Sequence, residues 1–321
     1  MLEEITEESY EASHKQVQQA SPQPSNSSNN PNESEIVFPI SFLESGNNLF
    51  INQELYCKHP IIQEIFDIDK ENMGRDSEKI YWQFVYVFAT DPYDCMVLLD
   101  DNGMDYEEVS SFQLFIFLFT RYMKQISAFI DRCIENNAPS NFINYLINHN
   151  VYFDAFRFFL GVDSFVVKSD DDGSLILTDE NGNFLLNEEM YENIHSFIKA
   201  INGIEIPKDR IYPENNAVKQ MLIDDMREEQ EQKERMRKLG MPIADEEDDG
   251  KGVLGKYLSS LTWGGNGGIT PFNRNQLHIF DVVDGFKRTN KTIDYKNIMT
   301  GIYSGCVNAK SINFNEVHWT N

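Results

Sequence analysis

A mainly α fold with a small β-meander, an α+β chain, is what this sequence predicts, and three observations carry that prediction. Apolar residues recur at helical spacing over long segments, as in Ile80, Phe84, Val87 and Phe88. One stretch, FVVKSDDDGSLILTDENGNFLL, alternates instead and holds two turn signals, Asp172-Gly173 and Asn181-Gly182. The 12% aromatic content, with 23 Phe and 14 Tyr, supplies a core that a disordered chain would lack. The pattern divides into a helical N-terminal unit, an acidic linker and a small helical C-terminal unit.

Residues 1–35 read as a disordered tail. QQASPQPSNSSNNPNESE has almost no aliphatic side chains with which to offset the entropy of ordering. The next unit, 36–160, is mainly helical. Within it, IVFPISFLESGNNLFINQELY over 36–56 reads as short strands around the turn Ser45-Gly46-Asn47-Asn48. His59-Pro60 opens a short helix with Ile61, Ile62, Ile65 and Phe66 on its buried face. Asp76 or Ser77 caps a helix over 78–89. Asp91 caps another, with Pro92 at its start and Asp94 in its first turn, near the positive end of the helix dipole. Asp101-Asn102-Gly103 is a turn. Ser110 and Gln113 form a capping box ahead of a long apolar helix reaching about Glu135. A further helix covers roughly 140–160 and stops at Gly161.

Residues 161–215 hold the three-stranded meander and a helix over 188–201, capped by Asn187, that packs on the first unit. The segment 216–252 combines a charged helix, QMLIDDMREEQEQKERMRKLG, with the acidic linker MPIADEEDDGKG. Charges of both signs on that helix suit a solvated element with i to i+4 pairs. The last unit, 253–321, is predicted as helices over about 254–262, 271–289 and 292–303, followed by an irregular arm.

The formal charge is -25 and the sequence pI about 4.5. Such a surface repels nucleic acid and anionic lipid, so neither is expected as a partner. FQLFIFLF at 112–119 is too short to span a bilayer, and the start lacks the apolar core of a signal peptide. Cys57, Cys95, Cys133 and Cys306 are widely spaced and read as free core thiols in a reducing compartment.

No motif carries chemistry, so no catalytic, cofactor-binding or metal-ligating residue is expected. Gly250-Lys251-Gly252-Val253-Leu254-Gly255-Lys256-Tyr257 matches P-loop spacing, yet Tyr257 stands where a Mg²⁺-binding hydroxyl belongs. Five carboxylates, Asp245 to Asp249, precede it and would repel a triphosphate. Asp170, Asp171, Asp172 and Asp179 suggest calcium until the loop is counted back from Gly173, which puts Lys168 at the first ligand position. None of His14, His59, His149, His195, His278 and His318 lies a helical turn from another. Cys57 and His59 lack an accompanying acid. The aromatic helix of Tyr81, Trp82, Phe84, Tyr86 and Phe88 lacks the interleaved bases of a stacking platform.

Two islands resemble a family of tailed-bacteriophage tail morphogenesis proteins, described as tail assembly chaperones or baseplate-associated proteins. The first spans Ile51 to Phe115, with the Pro-x-Ile-x-Glu-Ile start of a helix, Asp91-Pro92 with Asp94, and a Gly-Met-Asp-Tyr turn. The second, TPFNRNQLHIFDVVDGFKR with IMTGIYSGCVNAKSINFNEVHW, places Gln276, Phe280, Asp281, Arg288, Gly301, Gly305, Lys310, Ile312 and Trp319 where that family has packing, capping and turn positions. The resemblance implies a non-enzymatic, chaperone-like tail assembly protein in the host cytoplasm. Its partner would be a tape-measure or other tail protein, held by apolar contacts on the unit 36–160. A structural baseplate component of the virion and a hydrolase with an unrecognised site are the alternatives.

Overall fold

The computed structural model describes residues 36–52, 55–70, 76–136, 139–140, 142–143, 150–170, 173–207, 210–239, 252–264, 269–308, 310 and 312–318. The tail 1–35, the acidic run Asp245–Asp249, most of the linker and Trp319 lie outside the described residues. The fold is mainly α, with a two-stranded and a three-stranded antiparallel sheet.

The chain starts with α1 (Ile40–Glu44), not with a strand. Pro39 sets the turn: its carbonyl accepts from the N–H groups of Phe42 and Leu43. Phe38 and Phe42 then pack on Phe197, a tertiary contact that overrides the strand propensity of Ile36, Val37 and Phe38. Strands β1 (Leu49–Asn52) and β2 (Leu55–Cys57) follow as a hairpin. The short helix α2 (Ile62–Phe66) begins two residues later than Pro60, because Pro60 and Ile61 are held extended against the distant residue His278. There Ile62 N–H donates to Leu277 O at 2.9 Å and Ile279 N–H to Pro60 O at 3.0 Å.

Helix α3 (Ser77–Ala89) buries Tyr81, Phe84, Val85 and Phe88. Neither Asp76 nor Ser77 caps it through its side chain; the Ser77 hydroxyl donates to Phe66 O at 2.9 Å and accepts from Asp69 N–H instead. Asp91 caps as expected, its carboxylate accepting from Tyr93 N–H at 2.8 Å. The turn it opens is a 3₁₀ turn over Pro92–Cys95, continued by α4 (Met96–Asp100). In α5 (Ser111–Glu135), Ser110 and Gln113 form the reciprocal box, and Phe112, Leu114, Phe115, Ile116 and Phe119 are buried.

The predicted helix over 140–160 is interrupted at Asn150: residues 140 and 142–143 are helical, and 144–149 lie outside the described residues. Asn150 is extended and caps α6 (Val151–Leu160), its side chain accepting from Phe153 N–H at 3.0 Å. Gly161 ends α6 in the left-handed region at φ 67°. The meander β3 (Val166–Ser169), β4 (Leu175–Thr178) and β5 (Phe184–Leu186) pairs in sequence order. Asp179 closes its own turn by accepting from Asn183 N–H and Nδ2.

Helix α7 (Glu188–Ile201) runs through the centre of the molecule, with Tyr191, Ile194, Phe197, Ile198 and Ile201 fully buried. Helix α8 (Asn216–Lys238) buries only Ile223, which joins Met96, Leu99, Tyr106 and Leu114 in a second, smaller cluster. Further along α8 the expected i to i+4 pairs form, Glu229–Lys233, Glu231–Arg235 and Glu234–Lys238. Helix α9 (Val253–Gly264) and the N-terminal half of α10 (Ile279–Tyr303) contribute Leu254, Leu258, Leu261, Ile279, Phe280, Val282 and Val283 to the same core as α3 and α7.

Two C-terminal expectations are corrected. Residues 271–278 form a turn with a 3₁₀ segment at Arg274–Gln276. Helix α10 then runs unbroken through 289–292, because Arg-Thr-Asn-Lys-Thr holds neither Gly nor Pro and Thr292 bonds back to Arg288 O at 2.8 Å. In the final arm, Phe314–Val317 forms one helical turn, α11. The four cysteines are free, but only Cys57 is buried and Cys306 is exposed.

Candidate functional site

Among the described residues lies a cleft of about 510 Å³, lined from four directions. The Asp91–Tyr93 turn forms one wall and the segment Tyr106–Ser111 a second. Helix α7 supplies Glu189, Glu192, His195, Ser196 and Lys199, and the loop after α7 brings Ile206, Arg210 and Tyr212.

Spacing explains the α7 contribution. Glu192, His195 and Lys199 sit at i, i+3 and i+7, a polar stripe beside the buried stripe of Tyr191, Ile194 and Ile198. Lys199 is carried by the last turn of α7, where the helix dipole favours a cation.

Charge in the cleft centres on Asp91. One oxygen accepts from Tyr93 N–H and from Arg210 Nη2 at 2.9 Å; the other lies 3.4 Å from Nη1 and 3.7 Å from Lys199 Nζ. Burial pushes the Asp91 carboxyl up, but Arg210, the Tyr93 N–H and Lys199 outweigh it and hold it below the usual carboxylate range. The Arg210 guanidinium also covers the Tyr93 ring, 4.1 Å from its centroid. Asp94 lies within the field of the same groups, yet burial and Asp91 raise its carboxyl.

At the other end, His195 is buried. Its Nδ1 donates to Phe88 O at 2.6 Å, since a carbonyl can only accept, so Nε2 presents a lone pair toward Ser111 Oγ at 3.5 Å. Burial, then Lys199, lower the His195 pKa to about 4. Ser111 and His195 thus resemble two members of a nucleophilic triad. Beside this pair, the Phe112 N–H at the start of α5 donates to the Glu192 carboxylate at 3.0 Å. Burial also raises the Glu192 carboxyl.

Sequence reading identified Asp91 as a cap and missed its partners. Lys199 and His195 had a signal in the polar stripe of α7. Arg210 had none, being a loop residue 119 positions from Asp91.

The other flagged residues fall elsewhere. Among the described residues, no group of three or more His, Cys, Asp or Glu could hold a metal ion. The P-loop-like segment meets Glu78: its carboxylate accepts from Leu254 N–H at 2.6 Å and Gly255 N–H at 3.3 Å, occupying the donors a phosphate would use. The His59 and His278 rings lie 4.7 Å apart, tilted by 51°, at the α2–α10 junction, with both His59 ring nitrogens buried and unpartnered by protein. No described helix is long and apolar enough to cross a membrane.

Residues 249–321 match the family model described as the YomV second domain. YomV is a phage-region protein, so the C-terminal part of this chain is similar to a domain of a phage-associated protein. No curated protein and no solved structure matches the chain.

Proposed function

We propose that this chain is a non-enzymatic phage tail assembly protein, chaperone-like, that acts in the host cytoplasm by holding a tail or tape-measure protein through apolar side chains. One observation supports it most directly. The three most exposed large hydrophobic residues among the described ones are Phe272, Tyr303 and Trp263, at 93%, 82% and 76%, and all fall within the segment similar to the phage-associated domain. Aromatic residues left in water carry a hydration cost that a partner relieves, and such residues dominate interface energetics. This shifts the proposed contact surface from the unit 36–160, whose aromatics mostly enter the core, toward the C-terminal helices.

The test is co-production of the full chain with the tape-measure protein of the same phage region. The proposal expects the tape-measure protein to stay in solution and co-purify. Replacing Trp263, Phe272 or Tyr303 with Ser should each cost about 2 kcal/mol of binding, roughly thirtyfold in Kd, with thermal stability unchanged. Equal solubility of the tape-measure protein without this chain would overturn the chaperone role. A stoichiometric amount in purified particles would make it a virion component instead.

A further inference from the structure

We propose that the cleft between α7 and the Tyr106–Ser111 segment binds an alkyl ammonium group, with His195 Nε2 and the cleft carboxylates as its acceptors. This is independent of the tail assembly reading. Three observations carry it.

First, the hydrogen bonds of the cleft leave an acceptor over. His195 is 6% exposed and lines the cleft. Its Nδ1 donates to Phe88 O, so Nε2 can only accept. The donor it faces is the Ser111 hydroxyl at 3.5 Å, which also bonds the Glu192 carboxylate. One hydroxyl has one hydrogen, and a carboxylate is the stronger acceptor. The Nε2 lone pair is then buried without a donor, which is costly, and a ligand N–H removes that cost. Tyr106, also 6% exposed, lines the same cleft with its hydroxyl unpartnered by protein.

Second, the charge of the lining selects a cation. Five carboxylates, Asp91, Glu107, Glu108, Glu189 and Glu192, stand against Lys199 and Arg210. Asp91 lies beside both of those cations, and Glu107 is paired with Lys219, which is not part of the lining. Glu108 and Glu189 make no ion pair among the described residues. The Tyr106–Ser111 end is therefore negative, and a cation is drawn toward it. Third, an ammonium brings three donors and no acceptor, so it can serve His195 Nε2 and the Glu192 carboxylate together, both of which flank Ser111. Val109 and Ile206 line the cleft and can cover the methylenes of its stem.

The ammonium has two possible sources. One is a free aliphatic diamine. The other is a lysine side chain of a polypeptide partner.

The experiment uses the full-length protein at matched ionic strength. Cadaverine stands for a free diamine and N-acetyl-lysine methylamide for a lysine side chain. Pentanediol and N-acetyl-norleucine methylamide, which keep the stems and lack the ammonium, are the neutral controls. Binding is read by calorimetry and by the imidazole nitrogen resonances. The His195 Nε2 resonance should move saturably with an amine, because a free lone pair gains a donor, and stay fixed with the neutral compounds. Saturation by cadaverine alone identifies a free amine as the ligand; saturation by the lysine compound identifies a polypeptide side chain. Glu108→Gln/Glu189→Gln should weaken binding about threefold to tenfold. Glu231→Gln/Glu234→Gln removes the same charge from α8 and should change binding by less than about twofold, since screening isolates distant charges. Equal binding of the neutral compounds would overturn the proposal. So would a His195 Nε2 resonance that neither amine moves, or an equal effect of the two double variants.

Discussion

Glu78, in the first turn of α3, caps the helix that begins at Val253: its carboxylate accepts from Leu254 N–H at 2.6 Å across 176 positions of sequence. The same carboxylate reaches Gly255 N–H, so one side chain satisfies two of the donors that a helix start leaves open. Gly252 sits against it at φ 42°, where a Cβ would collide with the carboxylate.

This contact predicts the effect of removing the charge. Glu78→Gln keeps an acceptor but loses the anion at the positive end of α9, and should cost about 0.3–1 kcal/mol. Glu78→Ala removes both and should cost about 0.5–2 kcal/mol. Urea unfolding of the three proteins checks the order. The same variants should leave ATP binding absent; a nucleotide complex of the parent chain, seen by calorimetry, would contradict the reading of Gly250–Tyr257 as a capped helix start.

Asp91 allows two roles to be separated. Asparagine caps a helix about as well as aspartate, so Asp91→Asn keeps the Tyr93 contact and removes only the charge facing Arg210 and Lys199. Breaking a buried pair costs about 3–5 kcal/mol; with Asp91 20% exposed, about 2–4 kcal/mol is expected. The sign of the pH dependence follows from the depressed carboxyl. Its contribution is present above the unfolded value of about 3.9 and is lost as pH falls through the lower folded value. The gap between parent and variant should therefore close in acid. A gap that widened below about pH 4 would contradict the assignment.

How much of this was readable from the chain depends on the range of the interactions. Local rules placed the Ser110–Gln113 box, the Asn187 cap, the Gly161 stop and the meander, because each is decided within a few residues. Long-range contacts decided the rest. Residues 36–44 carry β-prone side chains, yet Phe38 and Phe42 reach Phe197 only if Pro39 starts a helix. Thr289 to Thr292 looked like a break between helices, but helical hydrogen bonding tolerates polar residues where Gly and Pro are absent. In the cleft, Asp91 was visible as a cap and its pairing with Arg210 was not, since no local pattern marks a loop arginine 119 residues away.

The buried histidines predict acid sensitivity at mild pH. Burial, with His278 beside one and Lys199 beside the other, lowers His59 and His195 to about 4 each. Both lie below the unfolded value of about 6.5, so the unfolded chain binds more protons between those limits. Stability should be flat above about pH 6.5 and fall toward pH 4, each histidine adding a slope of up to about 1.4 kcal/mol per pH unit. His59→Phe should remove one of the two slopes. At pH 7 it should be neutral or stabilising, because both His59 ring nitrogens are buried without a protein partner and the Phe197 ring 5.9 Å away favours an aromatic neighbour. Urea titrations at half-unit pH steps read both effects. An unchanged slope in His59→Phe would place the titrating group elsewhere.

Charge and apolar surface should act on different phases of partner binding. On the proposed function, the -25 chain should steer a basic tail-protein client during approach, and aromatics such as Phe272 and Tyr303 should hold it once docked. Salt separates the two, because the Debye length shrinks from about 10 Å at 0.1 M to about 3 Å at 1 M and apolar burial does not weaken in that way. Raising salt over that range should slow association on the order of tenfold or more and change dissociation little. Phe272→Ser should do the opposite, leaving association near its parent value and speeding dissociation about thirtyfold. Surface-immobilised client measured against both proteins at several salt concentrations gives the two rates directly. If salt mainly accelerated dissociation, charge pairs rather than aromatic burial would be holding the complex, and the proposed apolar docking of a tail protein would be wrong.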